Sequence, residues 1–350
     1  MNIKYIGKRH IVLSGLYLFL YSQASFGIIK GDLDSLLLVA NAYKDNIERL
    51  ETWQGKAIIH TNQSENNDTG DYSKWTNEVE FLHDNESAST RWYWKQIDGI
   101  KEKDGVLYTS DNYFTSGIAT PNNYYRLYEV PLVENRSPGT VVIDPRSSHQ
   151  KNLSGWGEEF SPMYYFKCID TNWYTRLNFY YNEANNPKIS EGYVEREGDI
   201  VTFKTVSKDG NINFHKFDLS KSGCLVECMS SNKTATIKWE FEYEKTGGLW
   251  VPHKVHYHNN NHERNDKDEK TVLFMENIIN EPISPKEFTL DKLCLIPGDL
   301  ICDNVKGVSW KYKEPESMLS SKQNIYTGLG ILGIFVLLIA SVYYLKKKRV

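Results

Sequence analysis

The stretch from Ala235 to Gly248, ATIKWEFEYEKTGG, alternates so strictly that it limits the possible folds more than any other segment of the chain. Ile237, Trp239, Phe241 and Tyr243 alternate with Lys238, Glu240, Glu242 and Glu244. Successive side chains of an extended backbone point to opposite sides. The segment is therefore a strand with one aromatic and one charged face, as in an antiparallel sheet that is solvated on one side. The same period returns elsewhere. In STRWYWK, Thr90, Trp92 and Trp94 oppose Arg91, Tyr93 and Lys95; RLNFYYN aligns Leu177, Phe179 and Tyr181; DIVTFKTVS aligns Val201, Phe203 and Thr205. Glu197-Gly198-Asp199, Lys208-Asp209-Gly210-Asn211 and Thr246-Gly247-Gly248 are turn signals, so about 188 to 280 reads as consecutive hairpins. From about 116 to 161 the pattern is weaker and Pro, Asn and Ser are more frequent, which predicts loops with a short helix or strand. No internal repeat is present.

One helix stands ahead of these strands. In GDLDSLLLVANAYKDNIERLETW, Leu36, Ala40, Tyr43, Ile47 and Leu50 recur at helical spacing, and Asp32 or Asp34 supplies the N-cap. An apolar stripe on such a helix needs a cover, and the sheet is the available one. After the last long strand, Pro282, Pro285 and Pro297 preclude a long helix. The expected fold is thus mainly β (α+β), with the N-terminal helix packed on a curved antiparallel sheet.

The ends predict the address. Lys4, Lys8 and Arg9 precede an apolar run from Ile11 to Tyr21 and then small residues, the layout of a signal peptide over 1–27, with cleavage after Ala24 or Gly27. The uncharged run Tyr326 to Leu345 has the length of a membrane-spanning helix and is followed by Lys346, Lys347, Lys348 and Arg349, which hold that end in the cytoplasm. The expected order is a signal peptide (1–27), an exported domain (28–312), a linker (313–325), a transmembrane helix (326–345) and a basic tail (346–350). The protein would be single-pass in the cell membrane, its body outside the cytoplasm and in the periplasm of a Gram-negative cell.

Composition removes some classes of partner. A net charge of −4 with no basic block outside the termini argues against nucleic acid. The five cysteines all lie in the exported body, where disulfides form. Cys224 with Cys228 and Cys294 with Cys302 are the expected local pairs, leaving Cys168 over. They do not form two CxxC pairs, which argues against zinc. Six Asn-x-Ser/Thr sequons, at Asn62, Asn67, Asn85, Asn135, Asn152 and Asn232, are glycan acceptors only in a eukaryotic secretory pathway. No nucleophile elbow, zincin helix, P-loop or dinucleotide fingerprint occurs, so no catalytic residue and no cofactor is assigned. His253, His256, His258 and His262 invite a metal reading. However, the returning strand places Lys254 on the face of His256 and His258, and NNNHERNDKDEK reads as a solvated turn, so no metal ligand is assigned. His253, which shares a face with Leu249, Val251, Val255 and Tyr257, is the unexplained member.

The order of elements resembles the bacterial lipoprotein-carrier family of the LolA and LolB type. The residues that carry the resemblance are NIERLETWQGKAII (Asn46 to Ile59), the hairpin WEFEYEKTGGLWVPHK (Trp239 to Lys254) and the exit NEPISPKEFTL (Asn280 to Leu290). The resemblance implies an incomplete β-barrel whose apolar interior accepts acyl chains, with a lipid or lipoprotein as partner. Trp92, Trp94, Phe179, Trp239 and Phe241 are the candidate ligand-facing residues. A body tethered by a C-terminal helix cannot shuttle as the soluble carriers do. The expected function is therefore a membrane-held holder of an apolar ligand, or else an envelope sensor that grips a protein partner.

Overall fold

The computed structural model describes residues 29–66, 71–109, 113–131, 136–145, 189–264 and 266–313. The signal peptide, the apolar run 326–345, Phe179 and Cys168 lie outside them. Among the described residues no helix is long and apolar enough to cross a membrane.

The described residues form one sheet and one α-helix. The strands before the long gap are β1 (Ile29–Gly31), β2 (Thr52–Asn66), β3 (Asp71–Asp84), β4 (Ser89–Lys103), β5 (Val106–Thr109), β6 (Tyr113–Ala119), β7 (Asn123–Pro131) and β8 (Thr140–Pro145). After it come β9 (Ile189–Glu197), β10 (Ile200–Ser207), β11 (Ile212–Asp218), β12 (Cys224–Ser231), β13 (Ala235–Thr246), β14 (Leu249–Asn261) and β15 (Asp266–Ile279), then the short β16 (Leu300–Asp303) and β17 (Val308–Lys311). β9 to β15 pair consecutively and antiparallel, the meander expected from the turn signals. β15 pairs with β2, and antiparallel pairing continues through β3, β4, β6, β7 and β8. β1 lies parallel on β9, β16 parallel on β8, and β17 antiparallel on β16. No ladder among the described residues joins β17 back to β1, so the sheet is curved and open.

Helix α1 (Leu33–Glu48) is capped by Asp32, whose side chain accepts from the Ser35 amide. Leu36, Val39, Ala40, Tyr43 and Ile47 are all buried, so the stripe faces the sheet as its spacing predicts. It lies against β9, β10 and the 3₁₀ turn after β11. Asn46 fixes its other end. This buried side chain donates to the Trp250 carbonyl at 2.9 Å and accepts from the Trp250 amide at 3.0 Å, occupying the place of a strand partner on β14.

Between residues 116 and 161 the sequence predicts loops, whereas β6, β7 and β8 occupy much of the described part. Their alternation is weak because apolar side chains are buried on both faces. Tyr124 belongs to the inner core with Trp92 and Trp94. Phe114, Ile118, Leu127, Val130, Val141 and Ile143 form a second core with Phe288, Leu293 and Ile301 of the exit segment. That segment forms 3₁₀ turns at Pro285–Phe288 and Leu290–Lys292, as its prolines require. A buried ion pair locks it down. Arg136 donates to both Asp299 carboxylate oxygens, at 2.8 and 2.7 Å, and Asp299 also accepts from the amides of Gly139 and Ile296.

Among the described residues neither expected disulfide is formed: Cys224 is not joined to Cys228, nor Cys294 to Cys302. Cys224 and Cys228 lie four residues apart on the single extended strand β12, about 13 Å by strand rise. A disulfide needs its Cα atoms within about 7 Å.

Candidate functional site

The inner wall of the sheet is aromatic. On β4, Trp92 and Trp94 are 3% and 4% exposed, and on β13 Phe241 is 5% exposed, so three of the candidate ligand-facing residues share one core. Trp239 is packed at the edge of that core, 4.5 Å from the Tyr257 ring. Other aromatic residues join them. The Trp53 ring lies 5.1 Å from Phe81 and 5.3 Å from Phe274, and its indole donates to the Asn277 side chain at 2.8 Å. Trp92 meets Tyr124 at 5.5 Å. Burial pushes the Tyr124 phenol up to about 12 and so keeps it neutral. Trp53 sits in the Trp-x-Gly of the β2 start. Phe81 and Phe274 fall at inward positions of alternating strands, a signal that could have identified them.

Polar side chains are also buried along these strands: Thr61, Asn77, Gln96, Thr115 and Thr205. Asn77 is the register partner of Gln96, and Thr115 that of Trp94. Three atoms in this part of the wall, Trp92 Nε1, Thr115 Oγ1 and Asn77 Oδ1, are buried with no hydrogen-bond partner among the described residues. The Trp92 ring lies over Gly117, where a Cβ would come within 2.0 Å of it, so only glycine admits this ring position. Each orphaned buried polar group costs about 1–3 kcal/mol unless something satisfies it.

The outer face offers a concavity of about 420 Å³, lined by Lys56, Glu80, Arg91, Tyr93, Lys292 and Cys294 among others. Its charges neutralise one another: Lys56 pairs with Glu80 at 3.0 Å, and Glu287 bridges Arg91 and Lys292. Cys294 is exposed at its rim, and partial burial among its neighbours raises the thiol despite the nearby Arg91 and Arg136.

The histidine-rich hairpin is built as its turn signal predicts, with Gly247 and Gly248 at positive φ between β13 and β14. A β-bulge resolves the anomaly at His253. Register shifts so that Pro252 pairs with Tyr243 and Lys254 with Glu242, leaving His253 unpaired and half exposed, 3.5 Å from Glu244. His256 contacts Thr271, and burial, then Lys254 and His258, push its pKa down. Lys238 and Lys254 sit among Glu227, Glu240 and Glu242 on this face, forming a ladder of ion pairs. Among the described residues no three His, Cys, Asp or Glu side chains converge as a metal site.

No family model matches the chain, and no curated protein does. Among solved structures, it is similar to a domain described as an outer-membrane lipoprotein-sorting protein from Vibrio parahaemolyticus. The identity is 11%, the TM-score is 0.37, and the match covers 73% of this chain and 97% of that one. It is also similar to a β-barrel-like protein, a domain of unknown function from Brucella abortus, at 8% identity and a TM-score of 0.16, over 67% of this chain and all 100% of the other. At these scores neither likeness bears on function.

Proposed function

We propose that the protein is a membrane-anchored, extracytoplasmic binding protein that holds an apolar ligand, lipid or lipoprotein acyl chain against the inner face of its curved sheet. The carrying observation is the wall made by Trp92, Trp94 and Thr115, which is aromatic and buried, yet whose Trp92 Nε1 and Thr115 Oγ1 have no hydrogen-bond partner among the described residues. A mostly apolar concave surface with a few placed polar groups is the usual build of a small-molecule site. α1 lies against the β9–β10 side of the sheet, and its buried stripe shares one core with Trp92 and Trp94. The reading assigns binding, not catalysis, and places the body outside the cytoplasm on the strength of its two terminal segments.

The test is native mass spectrometry of the purified full chain in detergent, followed by delipidation and titration with a fluorescent fatty acid. Co-purifying lipid, or saturable binding that Trp92→Ala and Trp94→Ala weaken about tenfold, is the expected result. No lipid and no fatty-acid binding would reject it. A second reading, strand addition by a protein partner, is favoured by β17. The side of this edge strand away from β16 has no ladder among the described residues, and Val308 and Trp310 on it are exposed.

A further inference from the structure

We infer that the end of the sheet away from α1 faces the bilayer, with the β4–β5 hairpin dipping into the lipid surface; this rests on the reading of a C-terminal anchor. The two ends of the sheet are set by contacts. At the α1 end lie the turn at Gly247–Gly248, which approaches Ile279 and Arg49, and Gly223, which abuts the Val39 carbonyl. The Thr52 carbonyl also accepts from the Asn280 amide there. Thr52 pairs with Asp84 and Asp84 with Ser89, so β4 begins at this end and runs away from it. Its last pairing with β6 is at Lys95, and it continues eight residues further, about 27 Å, before turning into β5.

That ribbon, which passes β6 but stays paired with β3 as far as Tyr72 opposite Glu102, is apolar where a solvated hairpin should not be. Val106, Leu107 and Tyr108 are 51%, 60% and 52% exposed, and Ile100 is 36% exposed. A scattered exposed apolar residue is ordinary, but three in succession at a tip form a patch that marks an interaction surface. Lys101 and Lys103 pair in register with Tyr108 and Val106, so lysine and tyrosine stand together beside the apolar tip. Tyrosine and lysine are the residues that settle at the headgroup level.

The exit of the chain selects the occupant. Pairing directions carry through from β4 to β6, β7, β8, β16 and β17, so that β17 runs in the direction of β4. The backbone therefore leaves Lys311 toward the end at which the β4–β5 hairpin turns. Thirteen positions separate Lys313 from Tyr326, the start of the apolar run. Such a segment reaches at most about 45 Å, enough to put the membrane at the hairpin tip.

The test places a benzophenone amino acid at position 107, or at position 86 in the exposed turn at the α1 end, in the full chain reconstituted into vesicles of phosphatidylethanolamine and phosphatidylglycerol. Irradiation and mass spectrometry then read the lipid adducts. At least tenfold more adduct at 107 than at 86 is expected. Equal yields, or more at 86, with protein that floats with the vesicles would overturn the orientation while leaving the anchor intact. Protein that does not float with the vesicles would reject the anchor, and the orientation with it.

Discussion

Single residues carry unusual weight where the two cores meet the sheet. Gly117 is one: Gly117→Ala puts a methyl group into the Trp92 ring and should destabilise by about 2 kcal/mol, the usual cost of overpacking, with a shift in tryptophan emission. Asp299 is another. Burial would raise its pKa, but the Arg136 guanidinium and the amides of Ile296 and Gly139 outweigh burial and hold the carboxyl below its ordinary range. Asp299→Asn strands a buried guanidinium and should cost about 3 kcal/mol in chemical denaturation. Neither role is visible in the sequence, where Gly117 stands in a weakly patterned stretch and Arg136 and Asp299 are 163 residues apart. His253 shows the same limit: strict alternation puts it among Val251 and Val255, and only the register shift at Pro252 turns it outward.

At the scale of elements, α1 and the β9–β15 meander were legible because periodicity and turn chemistry are local properties. Asp32, Gly198, Gly210 and the Gly247–Gly248 pair act where the sequence signals place them. What holds α1 in position was less legible. Asn46 lies among the buried positions of α1, and its amide bonds a strand 204 residues away. Asn46→Leu should leave the amide and carbonyl of Trp250 unpaired, lower the unfolding free energy by about 2 kcal/mol, and speed hydrogen exchange at Trp250. The strands β6 to β8 are not legible as such, because a strand buried on both faces loses its alternation. β16 and β17, four residues each, are too short for any pattern.

For the molecule as a whole, acid is the informative variable. Asp218, Glu240, Glu287 and Asp299 all have lowered pKa values. Burial opposes the shift at Asp218, Glu287 and Asp299, where Ser220, Lys292 and Arg136 respectively are the leading favourable partners; at Glu240 the bond from Lys238 leads. A carboxyl whose folded pKa lies below its unfolded value contributes stability above the unfolded value, about 4, and loses it as the pH falls through the folded one. The melting temperature should therefore be flat from pH 7 to about 5 and fall steeply below about 4. In Asp299→Asn that fall should be shallower. The amino-acid sequence by itself determined the meander, helix α1 and the hairpin turns, because side-chain period and glycine conformation act over a few residues. Only the tertiary structure decided that Trp92, Trp94 and Phe241 share one wall, that Cys224 and Cys228 stand too far apart along β12 to be joined, and that the apolar hairpin and the chain exit point to one end. Those outcomes depend on register and curvature summed over many strands, which no local pattern encodes.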